Sequence, residues 1–265
     1  MLYLITPFAA YLLGSVSSAI LISSLLGLPD PRTEGSRNPG ATNVLRLGSK
    51  PGAVLTLAGD IAKGVLPVVA ARWFLDEPVL LALAALGAFL GHLFPVYFRF
   101  EGGKGVATAL GVLAAIDWQL ASILIVTWLV VAAVFRYSSL AALVTAAAAP
   151  VYAFWLTGEP VFVALGAVLA ALLFFRHSEN IRRLLSGNES KIGKTIIDGG
   201  GSNAVIKIPR EAKLGTRIIG LTVRNAEGTD RDGRSQLRNR MSIEYAMSKI
   251  AEHDRVYLCL CNLLL

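Results

Sequence analysis

The sequence predicts an all-α, polytopic integral membrane bundle of about seven transmembrane helices, followed by a cytoplasmic C-terminal tail of unknown fold. Three observations carry this prediction. Charge is scarce in the first part: residues 1–177 hold 18 charged side chains and residues 178–265 hold the other 25. A soluble domain is charged at about a quarter of its positions, and only the second part reaches that level. Charge-free apolar runs recur at a length suited to a bilayer, which needs about 20 helical residues per crossing. The basic residues between those runs fall almost entirely on alternate connections. The same composition excludes a disordered chain and a disulfide-stapled secreted module, since the only cysteines are Cys259 and Cys261, one residue apart in the tail.

The elements follow in order. Residues 1–29 carry no charge, and no Lys or Arg precedes Arg32, which argues against a cleaved signal peptide. Residues 52–74 are mostly apolar but hold Asp60, Lys63 and Arg72. Residues 78–98, 118–135 and 137–158 contain no Asp, Glu, Lys or Arg, and the shorter run 160–175 ends at Arg176. Residues 105–116 are too few to cross and predict a half-span or a short tilted helix. Twelve basic residues fall on one set of connections: Arg32, Arg37, Arg46, Lys50, Arg99, Lys104, Arg136, Arg176, Arg182, Arg183, Lys191 and Lys194. The other set has only Arg72, with Asp76, Glu77, Asp117 and Glu159. The positive-inside rule puts the basic side in the cytoplasm, the N-terminus outside and residues 178–265 inside. The net charge of +7 then reflects topology and headgroup attraction, not nucleic-acid binding.

Three polar, glycine-rich segments fall on that basic side. The first runs from Glu34 through Gly35, Ser36, Asn38, Gly40, Thr42 and Asn43 to Arg46. Its glycines let the backbone turn tightly and present N–H groups to an anion; a plain interhelical loop is the other reading. The second contains Gly102, Gly103, Lys104 and Gly105 and runs through Thr108 into a helix start. That suits a phosphate, with Lys104 supplying charge, although the P-loop spacing is missing and a hinge would look similar. The third places His177, Asn180, Arg183 and Gly187 on one helical stripe before Glu189; a basic juxtamembrane helix is its alternative. Within the spans, Asp60 and Lys63 lie three apart on one face, either a structural ion pair or part of the site. His92 reads as a hydrogen-bonded buried histidine or a functional one. No metal-ligand spacing, paired-carboxylate motif or Gly-x-Ser-x-Gly elbow occurs. An apolar bundle with anion-binding segments at its mouth fits a substrate that combines phosphate with an acyl chain.

These motifs resemble those of the bacterial acyl-phosphate-dependent glycerol-3-phosphate acyltransferases, the PlsY family. Gly35–Asn43 with Arg46 is similar to the family's first motif, Gly102–Thr108 to its second, and His177–Glu189 to its third; Asp60-x-x-Lys63-Gly64 also matches. The resemblance covers residues 1–194 and implies a membrane acyltransferase domain there, with residues 195–265 an unassigned extension. It implies transfer of an acyl group from acyl phosphate to the 1-hydroxyl of sn-glycerol 3-phosphate, at the bacterial inner membrane and without a cofactor or metal. It also implies a functional partner in the PlsX family, which makes acyl phosphate. The residues expected to take part in catalysis are Ser36, Arg46, Lys104 and His177. Those expected to bind substrate are Gly35, Asn38, Gly40, Thr42, Asn43, Lys63, Gly102, Gly103, Gly105, Thr108, Ser139, Asn180, Arg183, Gly187 and Glu189. One departure stands out: where the family often has a second serine three residues beyond Ser139, this chain has Ala142. A transporter would also place glycine breaks and charges in a bundle, but no internal repeat is visible and the motifs gather at one interface. A non-catalytic scaffold would not need Lys104 or His177.

Overall fold

The computed structural model describes residues 1–192, in which the regular structure is all helical, with no strand among them. Ten α-helices form: α1 (Leu2–Gly14), α2 (Ser18–Leu25), α3 (Ala41–Arg46), α4 (Lys50–Phe74), α5 (Pro78–Leu93), α6 (Val106–Ile116), α7 (Trp118–Phe135), α8 (Ser138–Thr157), α9 (Pro160–Arg176) and α10 (Ser178–Leu185). The expected boundary at 194/195, the cysteines and the tail of unknown fold lie outside the described residues.

Seven apolar segments are present, as the sequence predicts, but they are not seven equal spans. Five are long and apolar enough to cross a membrane: Leu2–Leu25, Lys50–Phe74, Pro78–Phe98, Trp118–Phe135 and Ser138–Thr157. The first is interrupted at residues 15–17, where the small and hydroxyl residues Ser15, Val16 and Ser17 separate α1 from α2. The last is α9 with α10, which qualify only together and are bent by 64° at His177. Helix α6, at 11 residues, is the short one.

Small residues let the helices approach closely, as packing between membrane helices requires. A Cβ at Gly14 would lie 2.1 Å from the Ala88 carbonyl oxygen, so α1 and α5 pack backbone to backbone. A Cβ at Gly111 would meet the Ile61 carbonyl oxygen at 2.3 Å, which fixes α6 against α4. Around these seams Val68, Leu80, Phe89, Leu93, Val112, Leu120 and Leu169 are fully buried. One end of the bundle is closed by local caps. Glu77 accepts from the amides of Val79 and Leu80 at the start of α5, and Asp117 accepts from Leu120 at the start of α7. Arg72 donates to the terminal α6 carbonyls of Ala115 and Ile116 and pairs with Asp76. The three motifs occupy the other end.

Candidate active site at the motif end

The first motif folds around Asn43, which is 1% exposed on α3. Its amide nitrogen donates to the carbonyls of Pro31 and Glu34, and its Oδ1 accepts from the Ser36 amide at 2.8 Å. Gly35 sits at φ +62°, and a Cβ there would fall 2.3 Å from that same Oδ1, so glycine is required. The hydrogen-bonding groups of Asn43 are spent on shaping the loop. That loop leaves Ser36 and Thr42 exposed, with Asn38 and Gly40 half-buried. Arg46, exposed at the end of α3, donates to the Ser190 hydroxyl at 3.0 Å.

The second motif is held from below by a buried polar group. Lys63 pairs with Asp60 at 3.0 Å and donates to the Val16 carbonyl at 2.9 Å. Thr108 donates to the Asp60 carbonyl and lies 3.1 Å from His92 Nδ1. Lys63 and Thr108 are 6% and 0% exposed. Both have partners inside: a charge within a span is costly and Lys63 is neutralised by Asp60, while Thr108 bonds to the α4 backbone. Gly103 is tied to α5. Its amide donates to the His92 carbonyl at 3.1 Å, so it offers no donor to an anion. Glycine is needed there because a Cβ would strike His92 Nε2 at 2.2 Å. At Gly105, φ is +85° and a Cβ would meet the Phe89 ring at 2.4 Å. Gly102 and Gly103 are buried, and their carbonyls accept from Arg176, at 2.6 Å and 3.1 Å.

The third motif closes over Lys104. The Lys104 ammonium donates to Asn180 Oδ1. Asn180 in turn donates to Glu189 Oε1 at 2.7 Å, and Ser139 from α8 donates to the same oxygen at 2.6 Å. Arg183 holds the other Glu189 oxygen at 2.7 Å. Burial alone would push the Glu189 carboxyl up, but the hydrogen bonds from Ser139, Arg183 and Asn180 outweigh it and hold the group below the ordinary range. Glu189 and Ser139 thus brace the motif end from behind. Gly187, at φ +72°, turns the chain from α10 back toward Glu189. Burial, with Arg183 and Arg46 nearby, lowers Lys104 to about 8. His177, one residue past α9 and 3% exposed, has Nδ1 at 2.8 Å from the Leu173 carbonyl. A carbonyl only accepts, so Nδ1 carries the proton and Nε2 is the free acceptor.

Sequence reasoning missed Arg176 and the reach of His92. Arg176 read as the end of a span, and its position directly before His177 was the one local signal. Among the described residues, Lys104, Arg46 and Arg176 donate to neutral oxygens of an amide, a hydroxyl and two carbonyls, and none pairs with a carboxylate.

The fold and site define a polytopic membrane protein whose unneutralised cations gather at one end of the bundle. The sequence model of the glycerol-3-phosphate acyltransferase family matches residues 4–187. The chain belongs to that family, in its PlsY form. A glycerol-3-phosphate acyltransferase of Thioalkalivibrio sulfidiphilus is 60% identical over 184 residues, covering 69% of this chain and 91% of the relative. One from Methylococcus capsulatus is 53% identical over 191 residues, covering 72% and 96%. The crystal structure of PlsY, an integral membrane glycerol 3-phosphate acyltransferase, in its glycerol 3-phosphate form matches with a TM-score of 0.68 at 39% identity, covering 72% of this chain and 96% of that one. Its lysophosphatidic acid form matches at 0.66.

Proposed function

We propose that the protein transfers an acyl group from acyl phosphate to the 1-hydroxyl of sn-glycerol 3-phosphate, giving 1-acyl-glycerol 3-phosphate and inorganic phosphate. The observation that carries this reading is the set of three cations hydrogen-bonded to neutral oxygens at one mouth of an apolar bundle. A cation without a counter-charge favours an anionic ligand, the more so where it is half-buried as Lys104 and Arg176 are, and both reactants carry phosphate. Family membership and solved relatives in glycerol 3-phosphate and lysophosphatidic acid forms support the acceptor and the product.

Acyl phosphate is already activated, so no acyl-enzyme is required. The glycerol hydroxyl oxygen attacks the acyl carbon, and the bond from that carbon to the phosphate oxygen breaks. His177 Nε2 takes the hydroxyl proton, and phosphate leaves with the bond's electron pair. Arg46 and Lys104 neutralise phosphate charge, and the Ser36 hydroxyl orients the acceptor. The twelve-to-one division of basic residues supports a cytoplasmic position for this end at a bacterial inner membrane, and the reading takes a partner of the PlsX family as the source of the donor.

The decisive experiment gives the purified protein glycerol 3-phosphate with palmitoyl phosphate, palmitoyl-CoA or palmitoyl carrier protein, and follows the lysophospholipid by mass spectrometry. Product with palmitoyl phosphate alone, matched by phosphate release, is expected. Equal product from palmitoyl-CoA would overturn the donor assignment.

A further inference from the structure

Between Phe100 and Gly105 the chain is neither helix nor strand, and Arg99 and Phe100 stand at φ +54° and +62°. No ladder of backbone hydrogen bonds fixes this loop, so its shape has to come from outside it. Two residues from distant elements meet it, one through its backbone and one through its side chain. His92, near the end of α5, accepts from the Gly103 amide through its carbonyl and sets its ring against the Gly103 Cα. Arg176, the last residue of α9, donates to the Gly102 and Gly103 carbonyls and stacks over Phe94, with 5.7 Å from the guanidinium carbon to the ring centroid.

The peptide planes then follow. In a trans peptide the C=O and the next N–H point in opposite directions. The Gly102 carbonyl faces Arg176, so the Gly103 amide faces His92, as observed. The Gly103 carbonyl also faces Arg176, which turns the Lys104 amide away from it. That amide has no backbone partner among the described residues. Without the guanidinium, two buried carbonyls would lose their partners and these peptides would be free to rotate.

We propose that Arg176 is a positioning residue: with His92 on the opposite side, it clamps the Gly102–Lys104 peptides so that the Lys104 amide and the start of α6 face the bound phosphate. The effect on turnover rests on the acyl-transfer reading above, whereas the effect on phosphate binding does not.

The test uses the full chain in detergent, with two readouts. One is the split between KM for glycerol 3-phosphate and kcat; the other is the Kd of inorganic phosphate by calorimetry. Arg176→Gln is expected to raise both KM and Kd roughly tenfold or more while kcat stays within about threefold. Arg176→Lys keeps the charge but not the two-pronged geometry, and its expected loss is intermediate. It keeps the question open to measurement if Arg176→Gln does not fold. Millimolar guanidinium is expected to restore part of the phosphate affinity of Arg176→Ala. An unchanged phosphate Kd in folded Arg176→Gln overturns the clamp, as does failure of guanidinium to rescue Arg176→Ala. If the wild type transfers no acyl group but the Kd values shift as expected, the acyl-transfer reading fails and the clamp stands.

Discussion

The two ends of the bundle use the same residue types to opposite effect. At the closed end Glu77 and Asp117 bind the free amides of their own helices, and Arg72 binds both the carbonyls of α6 and the carboxylate of Asp76. Each charge there answers a helix terminus or an opposite charge, as capping requires. At the motif end Lys104, Arg46 and Arg176 are tethered in direction but not neutralised. Hydrogen bonds to amides, hydroxyls and carbonyls fix where a cation points and leave its charge available. A closed set of partners marks scaffold; an oriented cation without a carboxylate marks a place for an anion.

The largest break in this comparison should come from His177→Ala. Loss of a general base costs about 10²–10⁴-fold in rate, so kcat of the folded fraction should fall by that factor. Retained turnover in the folded variant would remove His177 from its proton-accepting role. Next is Gly103→Ala. The new methyl would meet the His92 ring and the Pro39 carbonyl, displacing the loop, and small displacements of binding groups cost up to about 10²-fold. KM for glycerol 3-phosphate should rise and the melting temperature should drop. Adding His92→Ala removes the nearer obstacle. Recovery of KM in that double variant would place the effect in packing, and no recovery would point to direct blocking of a ligand.

Lys104 sharpens the contrast through pH. Its ammonium, lowered to about 8, is charged below that value and neutral above it, so attraction for phosphate is lost as pH rises. In free-enzyme kinetics kcat/KM should decline about tenfold per pH unit on the alkaline side, and Lys104→Arg should abolish that limb because a guanidinium stays protonated. An identical limb in Lys104→Arg would assign it to another group. At the closed end, Arg72→Ala should cost about 1–3 kcal/mol of stability by stranding the α6 carbonyls, with KM and kcat of the folded fraction unchanged. A selective loss of kcat would show that the two ends are coupled. The smallest perturbation is cysteine labelling in a chain with Cys259 and Cys261 replaced by serine. A cysteine at Asp76 should react with an impermeant reagent from outside intact cells, and one at Ser36 only after permeabilisation. Labelling at position 36 from outside would invert the orientation.

Much of this was legible in one dimension. Charge-free runs locate the apolar helices because transfer energy accumulates locally along a chain, and the three motifs announce themselves through glycines beside cations. What the sequence hides is which way a polar side chain turns. Asn43, Lys63 and Thr108 are the residue types that bind phosphates, yet each faces inward; the Asp60–Lys63 pair was legible at its spacing of three, but the backbone partners Val16 of Lys63 and Asp60 of Thr108 lie 47 and 48 positions away. Arg176 reaches across 74 positions to Gly102, a distance no periodicity encodes. The breaks at residues 15–17 and at His177 were hidden for a related reason: a hydropathy run has length but no direction.

The shortness of α6 acts as a plumb line. Its far end is tied by Arg72 near the close of α4, and its 11 residues rise only about 16 Å, whereas the 25 residues of α4 rise about 37 Å. Thr108, in its first turn, is level with Asp60, ten residues into α4. The loop before α6 therefore lies roughly 10 Å below the first turn of α4. The missing turns of one helix thus set the second motif below the level at which its neighbour begins.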